Sequence, residues 1–155
     1  MPLVKHIPIA VFLAALLLST ASCEHTPPPA PAVVSEWQCM LKNIYHEARG
    51  DTVEGMQAVA LVTLNRAAQK DKTVCEIVYE HKQFSWTAMK NVRNKTLSDN
   101  FDRVAAVASD AIAGRLHDIT NGATYYHAKS VTPYWVKAVN KVGAIGAHIF
   151  YRKKK

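Results

Sequence analysis

The fold of this chain is decided by residues 35–68, which read SEWQCMLKNIYHEARGDTVEGMQAVALVTLNRAA and contain two helical patterns. In the first pattern, apolar side chains recur at helical spacing between Ser35, a good N-cap residue, and Gly50, a typical C-terminal stop. In the second pattern, residues 51–54 (DTVE) have the spacing of a capping box, and the Ala- and Val-rich run that follows predicts a buried central helix. The sequence therefore predicts an amphipathic helix followed by a buried one.

Two more helices and a pair of strands follow along the chain. A second capping box at residues 73–76 (TVCE) opens a short helix, and Ser98 starts a fourth helix that ends at Gly114. Downstream the period changes, because residues 123–127 and 147–151 are short β-prone runs in Gly-rich surroundings. We expect these two runs to pair as a small antiparallel β-hairpin, so the predicted fold class is α+β and mainly helical.

The N-terminus has the composition of an export signal. Lys5 and His6 precede an apolar run at residues 7–18, which is followed by small residues up to Cys23. The run is shorter than the stretch of about 20 residues that spans a membrane. The residues before Cys23 are similar to a lipobox, where bacterial lipoproteins are cut and the new N-terminal Cys is acylated. We therefore predict a lipoprotein-type signal peptide at residues 1–22; the alternative is cleavage at an Ala-x-Ser-like site that leaves a free thiol.

A proline-rich segment follows the signal. Residues 24–32 read EHTPPPAPA, and their prolines favour an extended conformation. We interpret residues 23–35 as a tether and residues 36–155 as one folded domain. Lipid on Cys23 would hold this domain at a membrane. In many enteric lipoproteins, an Asp after the Cys retains the protein at the inner membrane. Residue 24 is Glu, so by analogy we favour an anchor in the outer membrane, facing the periplasm.

The composition limits the chain to one compact, basic domain. The 155 residues are 49% hydrophobic and 20% charged, which leaves room for a single core and argues against disorder. Lys and Arg number 19 and Asp and Glu 12, a net charge of +7. We therefore expect an anionic partner: nucleic acid, an acidic membrane surface or an acidic wall polymer. The export signal argues against nucleic acid, and we expect a monomer.

Export also changes what the cysteines predict. With Cys23 used for lipid, Cys39 and Cys75 remain as one pair in an oxidising compartment. We predict a disulfide between these two residues, and the alternative is two separate buried thiols. Neither Cys belongs to a zinc-binding spacing, and residues 46–47 (HE) lack the second His of a zinc-peptidase motif, so no metal or other cofactor is expected.

One carboxylate differs from the other acidic residues. Most of the others lie in first helical turns or on polar helix faces, where they stabilise helix ends or face solvent. Glu47 instead falls in the last turn of the first helix, about 60 to 80° from the centre of its apolar stripe. Partial burial and the negative end of the helix dipole both raise a carboxyl pKa, as a general acid requires. The alternative is an edge glutamate paired with Arg49 or Lys42.

Several short motifs occur in an order that is known from one family. They are NIYHEARG (43–50), QAVA (57–60), LNR (64–66), TVC (73–75), QFSW (83–86), DITNGATYYH (118–127), PYW (133–135) and IGAHIFY (145–151). In this order they resemble the SleB-type cell wall hydrolases, the family of the spore-cortex-lytic enzymes, across residues 38–151. One departure is His46, which stands where an aromatic residue such as Phe is common in that family.

The resemblance implies a compact lysozyme-like domain that binds and cuts the glycan strands of peptidoglycan. The implied reaction is cleavage between MurNAc and GlcNAc by a lytic transglycosylase, which forms 1,6-anhydro-MurNAc, with Glu47 as the catalytic acid. Two alternatives stay open: a muramidase, which is a true hydrolase, and a peptidoglycan-binding lipoprotein without activity. Wall remodelling and phage-type host lysis would use the same chemistry.

The remaining motif residues are candidates for substrate binding. Neutral hydrogen-bonding groups suit sugar hydroxyls and N-acetyl amides, aromatic rings pack on pyranose faces, and a glycine permits close approach of the backbone. The candidate binding residues on these grounds are Gln83, Phe84, Ser85, Trp86, Thr120, Gly122, Tyr126 and His127. The alternative for the aromatic residues is core packing. Asp118 is either a second catalytic carboxylate or a cap for the turn at Thr120.

Overall fold

A computed structural model of the chain describes residues 34–88 and 100–154. The predicted signal peptide, Cys23 and most of the tether lie outside the described residues, as does Ser98. The helices are α1 (Glu36–Ala48), α2 (Val53–Lys70), α3 (Val74–Val78) and α4 (Phe101–Ile112), and the strands are β1 (Tyr125–Ala128), β2 (Val139–Ile145) and β3 (His148–Lys153). Short 3-10 turns cover Ser85–Ala88 and Tyr134–Ala138. None of the described helices is both long and apolar enough to cross a membrane.

The starts of α1 and α3 follow the predicted capping chemistry. Ser35 accepts a hydrogen bond from the backbone N–H of Gln38, and the Gln38 side chain returns one to the N–H of Ser35. Thr73 and Glu76 make the same reciprocal pair at the start of α3. Each pair satisfies two backbone groups that a helix end leaves without a helical partner. The capping boxes of α1 and α3 therefore fix where both helices begin.

The capping box predicted at residues 51–54 is wrong. The N-cap of α2 is Thr52, whose hydroxyl accepts from the N–H of Gly55 at 3.1 Å. Asp51 lies one residue earlier, and its carboxylate accepts from the backbone of Ala147 instead. The local pattern was misleading because a partner distant in sequence competes for this side chain.

The fourth helix starts later than the sequence suggests. It begins at Phe101, with Asn100 as the N-cap, and the Asn100 side chain makes no capping hydrogen bond. Its amide donates instead to the backbone oxygen of Arg49 at 2.8 Å, just beyond the end of α1. This contact holds the beginning of α4 against the end of the helix that carries Glu47.

The helices enclose the main core. Its largest fully buried side chains come from all four helices and include Met40, Ile44, Met56, Val59, Ile77 and Val104. A second, smaller cluster joins α2 to the sheet through Ala58, Val62, Ala123 and Phe150. Helix α2 is therefore buried on two sides, as its Ala- and Val-rich sequence predicts. It positions the helices and the sheet relative to each other.

The sheet has three antiparallel strands in the order β1-β3-β2. The predicted pairing of residues 123–127 with 147–151 is confirmed, since Tyr126 lies opposite Phe150. The expectation of a two-stranded hairpin is corrected by β2, which pairs with the other edge of β3. Residues of β2 were not predicted as a strand because Asn, Lys and Gly interrupt the apolar alternation, and a bulge lies between Lys141 and Gly143.

The predicted disulfide is confirmed. Cys39 and Cys75 are bonded, with their Cα atoms 5.2 Å apart. The bond connects α1 to α3, and a carboxylate oxygen of Glu36 also accepts from the N–H of Cys75 at 3.1 Å. Helix α3 is only one and a half turns long, so these links to α1 supply order that its own hydrogen bonds cannot.

Candidate active site

Glu47 lies in the last turn of α1 and is half-buried. Its Oε2 atom accepts a hydrogen bond from the phenol of Tyr126 at 2.9 Å, a contact between residues 79 positions apart. Burial raises the pKa of Glu47 above its usual value, although the Tyr126 hydrogen bond, the charge that His148 carries when it is protonated and the charge of Arg66 act in the opposite direction. The carboxyl group is thus more easily protonated than an exposed glutamate.

Tyr126 is held on three sides by its neighbours. The ring packs edge-on against His148, with centroids 5.2 Å apart, and lies beside Phe150. The guanidinium carbon of Arg66 is 5.8 Å from the ring centroid. Burial, followed by the negative charge of Glu47, raises the pKa of Tyr126 well above its usual value. The phenol therefore keeps its proton and serves as a fixed donor to Glu47.

Arg66 is the residue of this site that the sequence analysis missed. It projects from α2 and is buried, with Nε donating to the backbone oxygen of Thr124 at 2.7 Å. Its guanidinium also lies over the ring of Phe84. Burial lowers the pKa of Arg66, and the negative charges that Tyr126 and Glu47 carry when they are ionised oppose that shift. One signal was available in the sequence: a cation within an apolar helix needs a partner.

The segment at residues 83–86 contributes one polar link and two core aromatics. In the amide orientation that satisfies both neighbours, Gln83 accepts from Nη1 of Arg66 at 2.9 Å and donates to Glu80 at 3.1 Å. Phe84 and Trp86 are buried, whereas Ser85 is exposed. The structure therefore connects Gln83 to the Glu47 site through Arg66 and places both aromatic rings in the core.

A buried polar pair joins α1 to α2 one helical turn before Glu47. Asn43 is fully buried, donates to the hydroxyl of Thr63 at 3.0 Å and accepts from the indole N–H of Trp86 at 3.3 Å. The Trp86 ring stacks on His46, with centroids 4.5 Å apart. Burial, and then the charges of Arg49 and Lys42, lower the pKa of His46. His46, the residue before Glu47, therefore stacks on Trp86 as a neutral ring.

Asp118 caps the loop that leads into β1. Its carboxylate accepts from the N–H and hydroxyl of Thr120, from the N–H of Gly122 and from the amide of Asn65. Burial acts to raise the pKa of Asp118, but these hydrogen bonds together lower it. Thr120 is fully buried, and Gly122 has a φ of 74°, which only glycine adopts without strain. The contacts of Asp118 are those of the turn cap.

His127 lies on the other face of the sheet from Tyr126. Successive residues of a strand point to opposite faces, and the His127 ring packs against Trp135 and Tyr151. Its Nε2 is 2.9 Å from the hydroxyl of Tyr151. The structure therefore brings Glu47, Tyr126, Arg66 and Gln83 together and places His127 apart from them.

No group of three metal-ligating side chains occurs among residues 34–88 and 100–154.

A family model described as Cell Wall Hydrolase matches residues 50–151. The matched range begins just after Glu47 and contains Arg66, Tyr126 and His148. A spore cortex-lytic enzyme of Oceanobacillus iheyensis is 34% identical over 116 residues, which is 73% of this chain and 40% of the relative. A spore cortex-lytic enzyme of Halalkalibacterium halodurans is 33% identical, across 79% of this chain and 36% of its own. The chain thus spans well under half of these relatives.

Two solved structures are similar to the chain over nearly their full length. The catalytic domain of the germination-specific lytic transglycosylase SleB from Bacillus anthracis has a TM-score of 0.61 and 28% identity, across 81% of this chain and 100% of the solved one. The catalytic domain of the Bacillus cereus SleB protein has a TM-score of 0.60 and 29% identity, across 79% and 94%. Both are isolated catalytic domains, so the similarity concerns that part of the relatives.

Proposed function

This chain belongs to the cell wall hydrolase family, as its motif order predicts, and we propose that it cuts peptidoglycan glycan strands as a lytic transglycosylase. The bond cut is the one between MurNAc and GlcNAc, and the new end is 1,6-anhydro-MurNAc. The observation that carries this proposal is the half-buried Glu47, which has a raised pKa and a single phenol donor on one oxygen. Such a carboxyl group can donate a proton and then accept one.

The Tyr126 hydrogen bond decides which oxygen of Glu47 acts on the substrate. Because the phenol donates to Oε2, the acid proton of neutral Glu47 resides on Oε1. Oε1 then protonates the bridging oxygen as the bond to C1 breaks. The carboxylate left behind takes the proton of the C6 hydroxyl as that oxygen closes on C1, so one carboxyl group serves both steps.

A true hydrolase would require a second carboxylate. It would act as a nucleophile about 5 to 5.5 Å from the acid or as a base for water at about 6.5 to 9.5 Å. Asp118 is the candidate from the sequence, but its oxygens already accept three hydrogen bonds from the loop and one from Asn65 of α2. An internal C6 nucleophile needs no such group. The contacts of Asp118 therefore favour transglycosylation over the muramidase alternative.

The products of digestion distinguish the two reactions. We expect purified peptidoglycan treated with the chain to release fragments with 1,6-anhydro ends, which resist borohydride and weigh one water less than reducing ends. Mass spectrometry before and after reduction reads both properties. Reducible muramic ends would show a muramidase and return Asp118 to the reaction. Binding without release of any fragment would support the inactive lipoprotein.

We propose a division of labour among the candidate binding residues. Gln83, Ser85 and Gly122 are partly or fully exposed and offer polar groups to sugar hydroxyls and amides. Four candidates are buried. Phe84 packs against Arg66 and Trp86 against His46, so these two rings support the site. Thr120 instead stabilises the loop before β1, and His127 lies on the other face of the sheet. Tyr126 belongs to both groups because it is half-buried and contacts Glu47. The chain would act on peptidoglycan as a monomer, without nucleic acid or a cofactor, in wall remodelling or host lysis.

We also propose that residues 1–22 are removed, that Cys23 carries lipid, and that residues 23–35 tether a catalytic domain at residues 36–155. Labelled palmitate should enter the wild type and not Cys23→Ala. The acyl chains add about 0.8 kcal/mol per buried CH₂, so the wild type should sediment with membranes, with the outer membrane favoured. If Cys23→Ala is processed and sediments just as the wild type does, the lipid anchor is wrong.

A further inference from the structure

Asp51 has a buried carboxylate at a point where three parts of the chain meet. Oδ1 accepts from the N–H of Thr52 at 2.7 Å, at the start of α2. Both oxygens accept from the N–H of Ala147, in the turn between β2 and β3. Oδ2 is 3.2 Å from Nδ1 of His148, and the Asp51 side chain is 6% exposed. A carboxylate this far removed from water is costly unless hydrogen bonds or a charged partner compensate it, as these contacts do.

The backbone is shaped to admit this carboxylate. A Cβ atom added to Gly55 or to Gly146 would lie 2.3 Å from an atom of the Asp51 carboxyl group, closer than any real contact. Gly146 also has a φ of 54°. Glycine is therefore required at one position in α2 and at one in the hairpin turn for Asp51 to reach His148. Gly55 on one side of the carboxylate and Gly146 on the other therefore leave the space in which Asp51 contacts His148.

The contact fixes how the His148 ring presents its nitrogens. A carboxylate only accepts hydrogen bonds, so Nδ1 of His148 carries a proton. Nε2 makes no hydrogen bond within residues 34–88 and 100–154. In that part of the chain, each side-chain nitrogen or oxygen without a hydrogen-bond partner has some contact with solvent. Nε2 therefore keeps some contact with solvent, although the His148 side chain is only 10% exposed. The same ring packs edge-on against Tyr126, whose phenol is bonded to Glu47.

We propose that His148 is a substrate-binding residue whose Nε2 accepts a hydrogen bond from a sugar hydroxyl beside Glu47, and that Asp51 is the positioning residue that makes Nε2 an acceptor. This inference rests on the proposed function, since the hydroxyl belongs to the glycan that Glu47 would cut. The titratable and charged groups around the site are Asp51, Tyr126, Glu47 and Arg66, from the α1–α2 turn, β1, α1 and α2.

An Asn at position 51 would keep the shape of the contact and reverse its polarity. The amide oxygen can still accept from Ala147, but the amide nitrogen would face Nδ1 of His148 and require a lone pair there. The proton then moves to Nε2, which becomes a donor, as occurs when the aspartate of a catalytic triad is replaced by Asn. Asp51→Asn should lower kcat/KM on peptidoglycan about ten- to one hundredfold, the cost of one lost hydrogen bond and one reversed partner.

His148→Phe separates ring packing from nitrogen chemistry. It retains a ring against Tyr126 and Phe150 but has no acceptor, so it should lose as much activity as Asp51→Asn, and the double variant should be no worse than either single one. Controls are Asp110→Asn, at an exposed ion pair, and His117→Phe, on the surface.

A direct measurement of the tautomer tests the inference without turnover. In the ¹⁵N spectrum of histidine-labelled protein, wild-type His148 should show a protonated Nδ1 and an acceptor Nε2, and Asp51→Asn should show the reverse. A GlcNAc–MurNAc tetrasaccharide should shift Nε2 of the wild type. A wild-type Nε2–H tautomer, or full activity in folded His148→Phe, would overturn this inference alone. An inactive wild type whose Nε2 still responds to the tetrasaccharide would instead overturn the proposed reaction.

Discussion

Substitution of Glu47 by Gln is expected to lower kcat/KM on peptidoglycan by about 10²- to 10⁴-fold, the usual contribution of general acid–base catalysis. Gln has the same shape and still accepts a hydrogen bond from Tyr126 through its amide oxygen, but it cannot donate an acidic proton. The fold and the binding of glycan should therefore remain. Release of soluble fragments from purified peptidoglycan gives the rate, and sedimentation with the same peptidoglycan gives the binding.

Glu54→Gln is the matched control for this variant. Glu54 lies in the first turn of α2 and is exposed, so its loss changes the charge by the same amount without touching the site. We expect it to cut at the wild-type rate. Activity that survives in Glu47→Gln would contradict the assignment of the acid and, with it, the one-carboxyl mechanism.

The pH profile of the wild type should also show that activity depends on protonated Glu47. Glu47 must be protonated to begin the reaction, so activity is expected to fall as the pH rises through its pKa. Burial raises that pKa, which moves the alkaline limb above the pH at which an exposed glutamate ionises. The residual activity of Glu47→Gln should lack this limb, because the amide does not titrate. A profile that is unchanged by the substitution would assign the limb to another group.

The position of Glu47 at the border between the apolar stripe of α1 and solvent can be predicted from the sequence, because it depends on a single helix. The angle between Glu47 and the apolar stripe follows from helical geometry alone. Its partner is not visible in the same way, because Tyr126 lies 79 residues later and reaches Glu47 only once it packs on the cluster that joins α2 to the sheet. The same holds for Arg66, whose neighbours are Thr124 and the ring of Phe84. Sequence patterns thus predict the border position of Glu47 and not the contacts that surround it.

Asp51 shows why a local pattern can mislead. The letters DTVE have the form of a capping box, and the pattern at residues 73–76 has the same form and caps as predicted. At Asp51 the competing partner is the N–H of Ala147, 96 residues away. The strand β2 was missed for a related reason, since its Asn, Lys and Gly residues are tolerated only because β3 supplies its pairing. Where tertiary contacts compete with local propensity, the tertiary contacts decide.

The second large effect concerns stability, and it is expected on loss of the Cys39–Cys75 disulfide. The bond closes a loop of 36 residues, for which the chain-entropy account gives a loss of about 4 kcal/mol when the bond is absent. For a domain of this size, that loss corresponds to a fall in Tm of roughly 10 to 20 °C. The variant of choice is Cys39→Ala with Cys75→Ala, because Cys39 is fully buried and a Ser there would bury a hydroxyl group.

Reduction of the wild type supplies the comparison that separates the bond from the side chains. Reduced wild type and the double Ala variant should melt at similar temperatures, and reductant should leave the double variant unchanged. Activity well below the melting temperature should persist, since the contacts that tune Glu47 come from α2, β1 and β3, whereas the bond links α1 to α3. A double variant that melts with the oxidised wild type would show that the packing of α3, through Ile77 and Val78, suffices to hold it against α1.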